Sequence, residues 1–362
     1  MSTPRTRMPA EWEPHAATWI AWPHNPDDWP GKFRPIPWVF AEIVRHLSRV
    51  ERVHILVNDL AAERRATSIL RRGGANLART HFHHWPTDRV WLRDSGPVFV
   101  KRADGSVKDS GGNLAVTNWK FNAWAKYSNW RRDDQIPHRV AQLYNIPEIQ
   151  PEIDGHRLVL EGGSIDTNGS GVLLTTEECL LSEVQQRNPG LGSADETRAK
   201  LERAFRDHLG IHQTLWLNRG CAGDDTHGHI DDVARFVSPD TILTCLEPNP
   251  ADPNHLPLAE NLDRLHSFRH ASGPNAGKPF RIVTLPMPAP VHFHGRRLPA
   301  SYANFTIANS LVLVPTFNDA NDRRALDIIA ACFPTREVVG IHAVDLVWGL
   351  GALHCLTQQQ PA

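Results

Sequence analysis

No stretch of this chain approaches the ~20 consecutive apolar residues of a membrane-spanning helix. The opening MSTPRTRMPAEWEP also lacks the apolar core of a secretory signal peptide, so no membrane role is expected and the cytoplasm is the expected location. Neither sign of charge dominates. With 39 basic residues against 40 acidic ones the formal net charge is -1, and no global field draws the protein to nucleic acid or an anionic membrane. Cysteine is scarce and odd in number, five in 362 residues without close pairing, which argues against a disulfide framework and for free thiols in a reducing compartment. Tyrosine is scarcer still, three against twelve tryptophans. Several tryptophans fall in the turn-rich stretches 22–38 and 119–130, where most are expected to pack in the core and some to line a cleft. No Ser-, Gly- or Pro-rich linker divides the chain, the Pro-rich segments 248–257 and 286–299 reading as surface loops, so residues 1–362 are expected to form one domain.

What is present is ordinary globular composition, 41% hydrophobic and 22% charged, arranged as an α/β pattern. WVFAEIVRHLSR at 38–49 has helical apolar spacing, and VHILV at 53–57 reads as a buried strand followed by a helix ending near Gly73. Ser193 and Glu196 form a capping-box pair ahead of LERAFRDHLG, and a further helix is expected over 320–332. Between the helices lie apolar pairs that read as hairpins: GPVFV with a turn at ADGS, GGSIDT with GVLLT, DVARFV with TILTCL, and YANFTIA with SLVLVP. Anchoring each unit just before its first strand, at Trp22, Asp94, Glu161, His229 and Ser301, gives intervals of 72, 67, 68 and 72 residues. Such a period suits five strand, hairpin and helix modules, although an α/β chain yields similar spacing when anchors are chosen freely.

Four clusters join turn-forming glycine to ionisable groups: WLRDSGP around Asp94, LEGGS around Glu161, THGHIDD around His229 and Asp231, and GLGALHCLTQQ around Cys355. Taken singly, each has a bland reading. Asp94 beside Arg93 suits a solvated pair, Glu161 a turn, and a lone cysteine a packed small hydrophobe. Taken together they suit guanidinium chemistry. A guanidinium stays charged at physiological pH and matches paired carboxylates. Its carbon is a poor electrophile, so hydrolysis asks for a thiolate, and the departing ammonia asks for an acid that can later act as base, which histidine supplies. A rival metal site around Cys221, His227, His229 and Asp231 fits none of the compact zinc spacings. Cys179, Cys245 and Cys332 lie in apolar stretches and are expected to be buried without chemistry.

These clusters, in this order, resemble the agmatine deiminase family within the wider guanidine-modifying group. The resemblance extends to MPAEWEPHAATWIAWPHNPDDW at the start, WKFNAW at 119–124 and HCLTQQQP at 354–361. It implies a five-bladed α/β propeller, the pentein fold. It also implies Cys355 as nucleophile, His229 as general acid and base, Asp94 and Asp231 as the guanidinium clamp, and Glu161 as the carboxylate supporting the histidine. No metal or other cofactor is implied, the partner is a small guanidinium substrate, and a homodimer is the expected assembly. The implied product is a ureido compound, formed through a covalent thiouronium intermediate, which places the reaction in polyamine synthesis.

The chain departs from that pattern at Leu350 and Ala352, where three consecutive glycines are usual, in WAKYSNW after WKFNA, and at Pro30. These departures bear on substrate choice. Asp28, Trp29 and Trp91 are expected to bind substrate, the first two suiting an amine better than a carboxylate. Arginine or peptidyl-arginine as substrate, or a catalytically silent propeller that binds a partner, are the alternatives.

Overall fold

A computed structural model describes residues 6–102 and 113–362. Its framework is five sheets, each formed from a hairpin and a third strand. The first comprises Val98–Arg102, Leu114–Thr117 and Glu148–Ile149, with Thr6–Arg7 along its edge. The second comprises Asp166–Thr167, Val172–Thr176 and Gln213–Leu217, and the third Ala234–Ser238, Thr241–Leu246 and Arg281–Pro286. Thr306–Ala308, Leu311–Thr316 and Glu337–His342 make the fourth. The fifth is discontinuous: Gln358–Pro361 pairs antiparallel with His15–Ala21, which runs parallel to Arg52–Val57, and Thr80–His84 completes the sheet.

In every sheet the first two strands pair antiparallel and the third runs parallel to the second, so the chain must cross over between them. Helices Ile36–Val50, Ile136–Tyr144, Ala194–Leu209, His255–Ser267 and Asp322–Cys332 make these crossings. Local sequence accounts for their limits. Ile36–Val50 buries Phe40, Ile43, Val44 and Leu47, a stripe at helical spacing. Ala194–Leu209 begins at the Ser193 and Glu196 capping box. It stops at Gly210, whose φ of 73° and lack of a Cβ are both needed, since a Cβ there would lie 2.1 Å from the Thr6 carbonyl oxygen.

The expected helices and strand at 38–73 and 320–332 form, as Ile36–Val50, Arg52–Val57, Leu60–Arg72 and Asp322–Cys332. All four hairpin strand pairs form too, while the ADGS turn lies outside the described residues. The anchor at Trp22 is corrected. Trp22 follows the second strand of its sheet instead of preceding a hairpin, and the entry to that sheet's first strand is the turn carrying Cys355. The fifth hairpin is split across the chain, so no local reading of adjacent strands could find it.

Short turns precede the first strands and meet at the centre: Leu92–Ser95, Gly162–Ser164, Ile230–Asp232, the segment 301–304 and Leu353–Leu356. Leu92–Ser95 packs on Gly162–Ser164 and on Leu353–Leu356, and Gly162–Ser164 packs on Ile230–Asp232. Asn304 bonds to both Asp232 and Cys355, completing the circle. The fold is therefore a five-bladed α/β propeller whose entry turns converge on its axis.

Candidate active site

Four of the five turns bring candidate functional side chains to the axis. Asp94 comes from Leu92–Ser95, Asp231 from Ile230–Asp232 and Cys355 from Leu353–Leu356, while Glu161 and His229 directly precede their turns. His229 and Asp231 thus converge through a single helical turn, with Ile230 buried between them. The glycines of LEGGS serve close packing. A Cβ on Gly163 would lie 2.6 Å from His229 Nδ1 and 2.7 Å from Asp94 Oδ1, and its backbone N–H donates to Asp94 Oδ1 at 2.9 Å.

The five chemical positions are all buried and mutually close. His229 Nδ1 lies 3.8 Å from Asp94 Oδ1 and 3.9 Å from Asp231 Oδ1, and Nε2 lies 3.7 Å from Glu161 Oε2. Neither ring nitrogen makes a hydrogen bond among the described residues. The Cys355 thiol donates to Asp231 Oδ2 at 3.6 Å, and Sγ accepts from Asn304 Nδ2 at 3.0 Å. Asp94 Oδ2 accepts from Trp124 Nε1 at 3.0 Å.

Charge is concentrated here, and burial magnifies its effects. Burial pushes the Cys355 thiol well above its ordinary value, and Asp231, Asp232 and Asp94 push it the same way. Burial raises Asp94 to about 6, with Asp231 and Glu161 adding to the rise and His229 opposing it. Burial also opposes the charge on His229, but Asp94 and Glu161 outweigh it and hold the imidazole well above its ordinary value. Glu161 falls to about 2 despite burial, because Arg187 and His229 stabilise its carboxylate. Arg187 Nε donates to both Glu161 oxygens, at 3.0 and 3.3 Å. These directions favour the protonated thiol of Cys355 and the charged imidazole of His229 in the empty site.

One cleft, with ≈ 360 Å³ of empty volume, reaches Cys355 and Asp94. Trp91, Trp124 and Tyr127 line it with aromatic surface, and Arg89, Asp225 and Leu350 also face it. Asp28 is buried behind Arg89, which donates to its Oδ1 at 2.9 Å, and burial raises Asp28 to about 6 against the pull of that guanidinium. Trp29 is fully buried and does not line the cleft. Its Nε1 donates to the Leu346 carbonyl at 2.8 Å, and its ring packs on Trp91 with centroids 5.7 Å apart.

Several site residues escaped the sequence reading. Trp124 enters the cleft from a turn in which Ala123, Trp124 and Ala125 all have positive φ, of 51°, 60° and 55°. Asp225 is held by Tyr127 Oη at 2.6 Å and Lys126 Nζ at 2.7 Å. Cys179 is buried as expected, yet it stands beside the histidine: Glu161, Cys179 and His229 place three ligand-type atoms within 4.8 Å of one another. That trio is ill suited to a resident metal dication, because Arg187 already occupies both oxygens of Glu161. Cys245 is likewise buried, whereas Cys332 is only partly so.

Residues 7–361 match the Porphyromonas-type peptidyl-arginine deiminase family. The chain is 34% identical to the agmatine deiminase of Pseudomonas aeruginosa (strain LESB58), an alignment covering 100% of this chain and 98% of that protein. The Pseudomonas fluorescens agmatine deiminase is equally similar, 34% identical with the same coverage. Among solved structures, the agmatine deiminase of Enterococcus faecalis superposes with a TM-score of 0.85 at 29% identity, over 99% of this chain and 96% of that one. A structure described as a putative arginine deiminase from Porphyromonas gingivalis superposes with a TM-score of 0.83 at 32% identity, over 98% of each chain.

Proposed function

Because the chain belongs to the Porphyromonas-type peptidyl-arginine deiminase family, we propose that it is an agmatine deiminase, hydrolysing agmatine to N-carbamoylputrescine and ammonia. The observation that carries this reading is the convergence of one thiol, two clamp carboxylates and a carboxylate-supported imidazole behind a cleft that Cys355 and Asp94 line. In this reading Asp94 and Asp231 take the guanidinium N–H groups and bring its carbon to Cys355. The cation's arrival offsets the carboxylate charge that keeps the thiol protonated, so binding itself favours the thiolate.

The sulfur then adds to the guanidinium carbon. His229, held as imidazolium, gives its proton to the departing nitrogen, ammonia leaves, and the carbon remains bound to Cys355 as a thiouronium. The neutral His229 next takes a proton from water, oxygen adds to the carbon, and as the C–S bond breaks the proton left on that oxygen passes to sulfur, releasing the ureido product and restoring the thiol, while the proton that the thiol lost on substrate binding leaves with ammonia as ammonium. Glu161, fixed by Arg187, keeps the imidazole charged between turnovers.

Arginine is the second reading, because Arg89 offers the cleft a cation that an α-carboxylate could use. That charge is already matched by Asp28 and lies over Tyr127, 4.1 Å from the ring centroid, while Asp225 and three aromatic rings face the same space. Asp225 is likewise matched, by Lys126 and Arg296, so it is the aromatic faces of Trp91, Trp124 and Tyr127 that favour a primary amine. Ammonia release from agmatine and from arginine, by the wild type and Cys355→Ala, tests the assignment. Turnover of agmatine that disappears in the variant is expected. Turnover of arginine alone would move the substrate, and silence on both would favour a binding role.

A further inference from the structure

The opening MPAEWEP and the histidine before the nucleophile have no part in the chemistry above, yet the structure joins them. Glu11 lies at the propeller axis, buried, with Oε1 accepting the Ile307 N–H at 2.8 Å and Oε2 bonded to Arg235. Its Oε2 is also 3.0 Å from His354 Nε2. On the other side of the ring, His354 Nδ1 is 2.7 Å from Asp231 Oδ2. Each imidazole nitrogen therefore faces a carboxylate oxygen, and both contacts are satisfied only when both nitrogens donate. The His354 backbone is fixed as well, its N–H donating to Asn304 Oδ1 at 3.0 Å.

The consequence falls on Asp231. Its Oδ2 is committed to His354 and the Cys355 thiol, whereas its Oδ1 is buried without a hydrogen-bond partner. A buried carboxylate oxygen without a donor is costly unless a ligand supplies one. We propose that His354, anchored by Glu11, is a positioning residue that locks Asp231 with Oδ1 presented to the substrate guanidinium. It acts through Asp231 and does not touch the reacting atoms. The charge-assisted bond also works against burial to keep Asp231 below its usual range and hence ionised. The inference rests on Asp231 being part of the clamp.

Agmatine binding to Cys355→Ala, which leaves the clamp intact but halts turnover, provides the test by calorimetry. Asp231→Asn and His354→Leu, each added to that background, are expected to weaken binding about tenfold or more, with the triple variant no weaker than either double. His354→Asn keeps a donor near the Nδ1 position and is expected to recover most of the affinity, and Glu11→Gln to fall between. Thermal melts identify any variant that has lost its fold, in which case His354→Asn and Glu11→Gln carry the comparison. Undiminished binding in His354→Leu, additive losses, or equal losses in the Leu and Asn variants would overturn the proposal while the clamp stands. If Asp231→Asn itself binds normally, the clamp assignment fails and this inference with it. A Cys355→Ala protein that binds arginine but not agmatine would instead revise only the substrate, and the same comparison would be read with arginine.

Discussion

As one arm of the proposed clamp, Asp94 would meet two demands: to be buried deep enough to exclude water from a guanidinium, and to be charged when that guanidinium arrives. Burial, helped by Asp231 and Glu161, raises its carboxyl to about 6. The sign follows directly. Below that value the empty site holds a neutral acid that must lose a proton before it can clamp a cation, whereas above it the carboxylate is ready. The KM for agmatine is therefore expected to rise by about tenfold for each pH unit below 6 and to level off above 7, as measured in a steady-state pH series. A KM flat between pH 5 and 8 would mean that Asp94 does not titrate in the binding step. Asp94, Glu161, His229 and Asp231 each adjoin a glycine turn ahead of a local hairpin, a signal the sequence carries, whereas Cys355 precedes a strand whose antiparallel partner lies at the other end of the chain. Nothing local in the sequence separates an aromatic that lines a cleft from one packed just behind it, as Trp29 is behind Trp91. Asp225 and Glu11 were missed because their partners lie in other blades, and Arg187 because it stands 26 residues from Glu161, beyond the reach of any local pattern.

Leu350 shows how an element's backbone shapes a site. It caps the turn Leu346–Gly349 with φ 70° and ψ 27°, a left-handed conformation that costs a residue with a Cβ roughly 1–2 kcal/mol, and it faces the same cleft as Cys355. Glycine would relax that backbone while removing a half-buried side chain. Leu350→Gly is expected to melt within a few degrees of the wild type and to raise the ratio of arginine to agmatine kcat/KM, since a wider cleft tolerates an α-substituent. An unchanged ratio would free Leu350 from any role in substrate choice. Elements with local signals were readable in advance: the capping box at Ser193 and Glu196, the stripe of Ile36–Val50, and the hairpin strands. The left-handed run at Ala123, Trp124 and Ala125 carries no glycine to announce it.

At the scale of the molecule, the fold depends on joining strands from opposite ends of the sequence. Gln358–Pro361 supplies the innermost strand of the fifth sheet, and it also follows directly on the turn that holds Cys355. Deleting residues 357–362 is expected to unfold most of the protein instead of merely silencing it, with loss of the cooperative thermal transition. A stable but inactive product would show that four blades suffice. The module period could be read from spacing, but ring closure could not, because the split sheet has no hairpin in the sequence.

That closing strand also sets a schedule. During synthesis the strand that receives it, His15–Ala21, leaves the ribosome among the first, and Gln358–Pro361 emerges after every other strand of the ring. The nascent chain thus carries Asp94, Asp231 and His229 long before Cys355 can join them, and under the roles proposed above an interrupted translation product lacks its nucleophile.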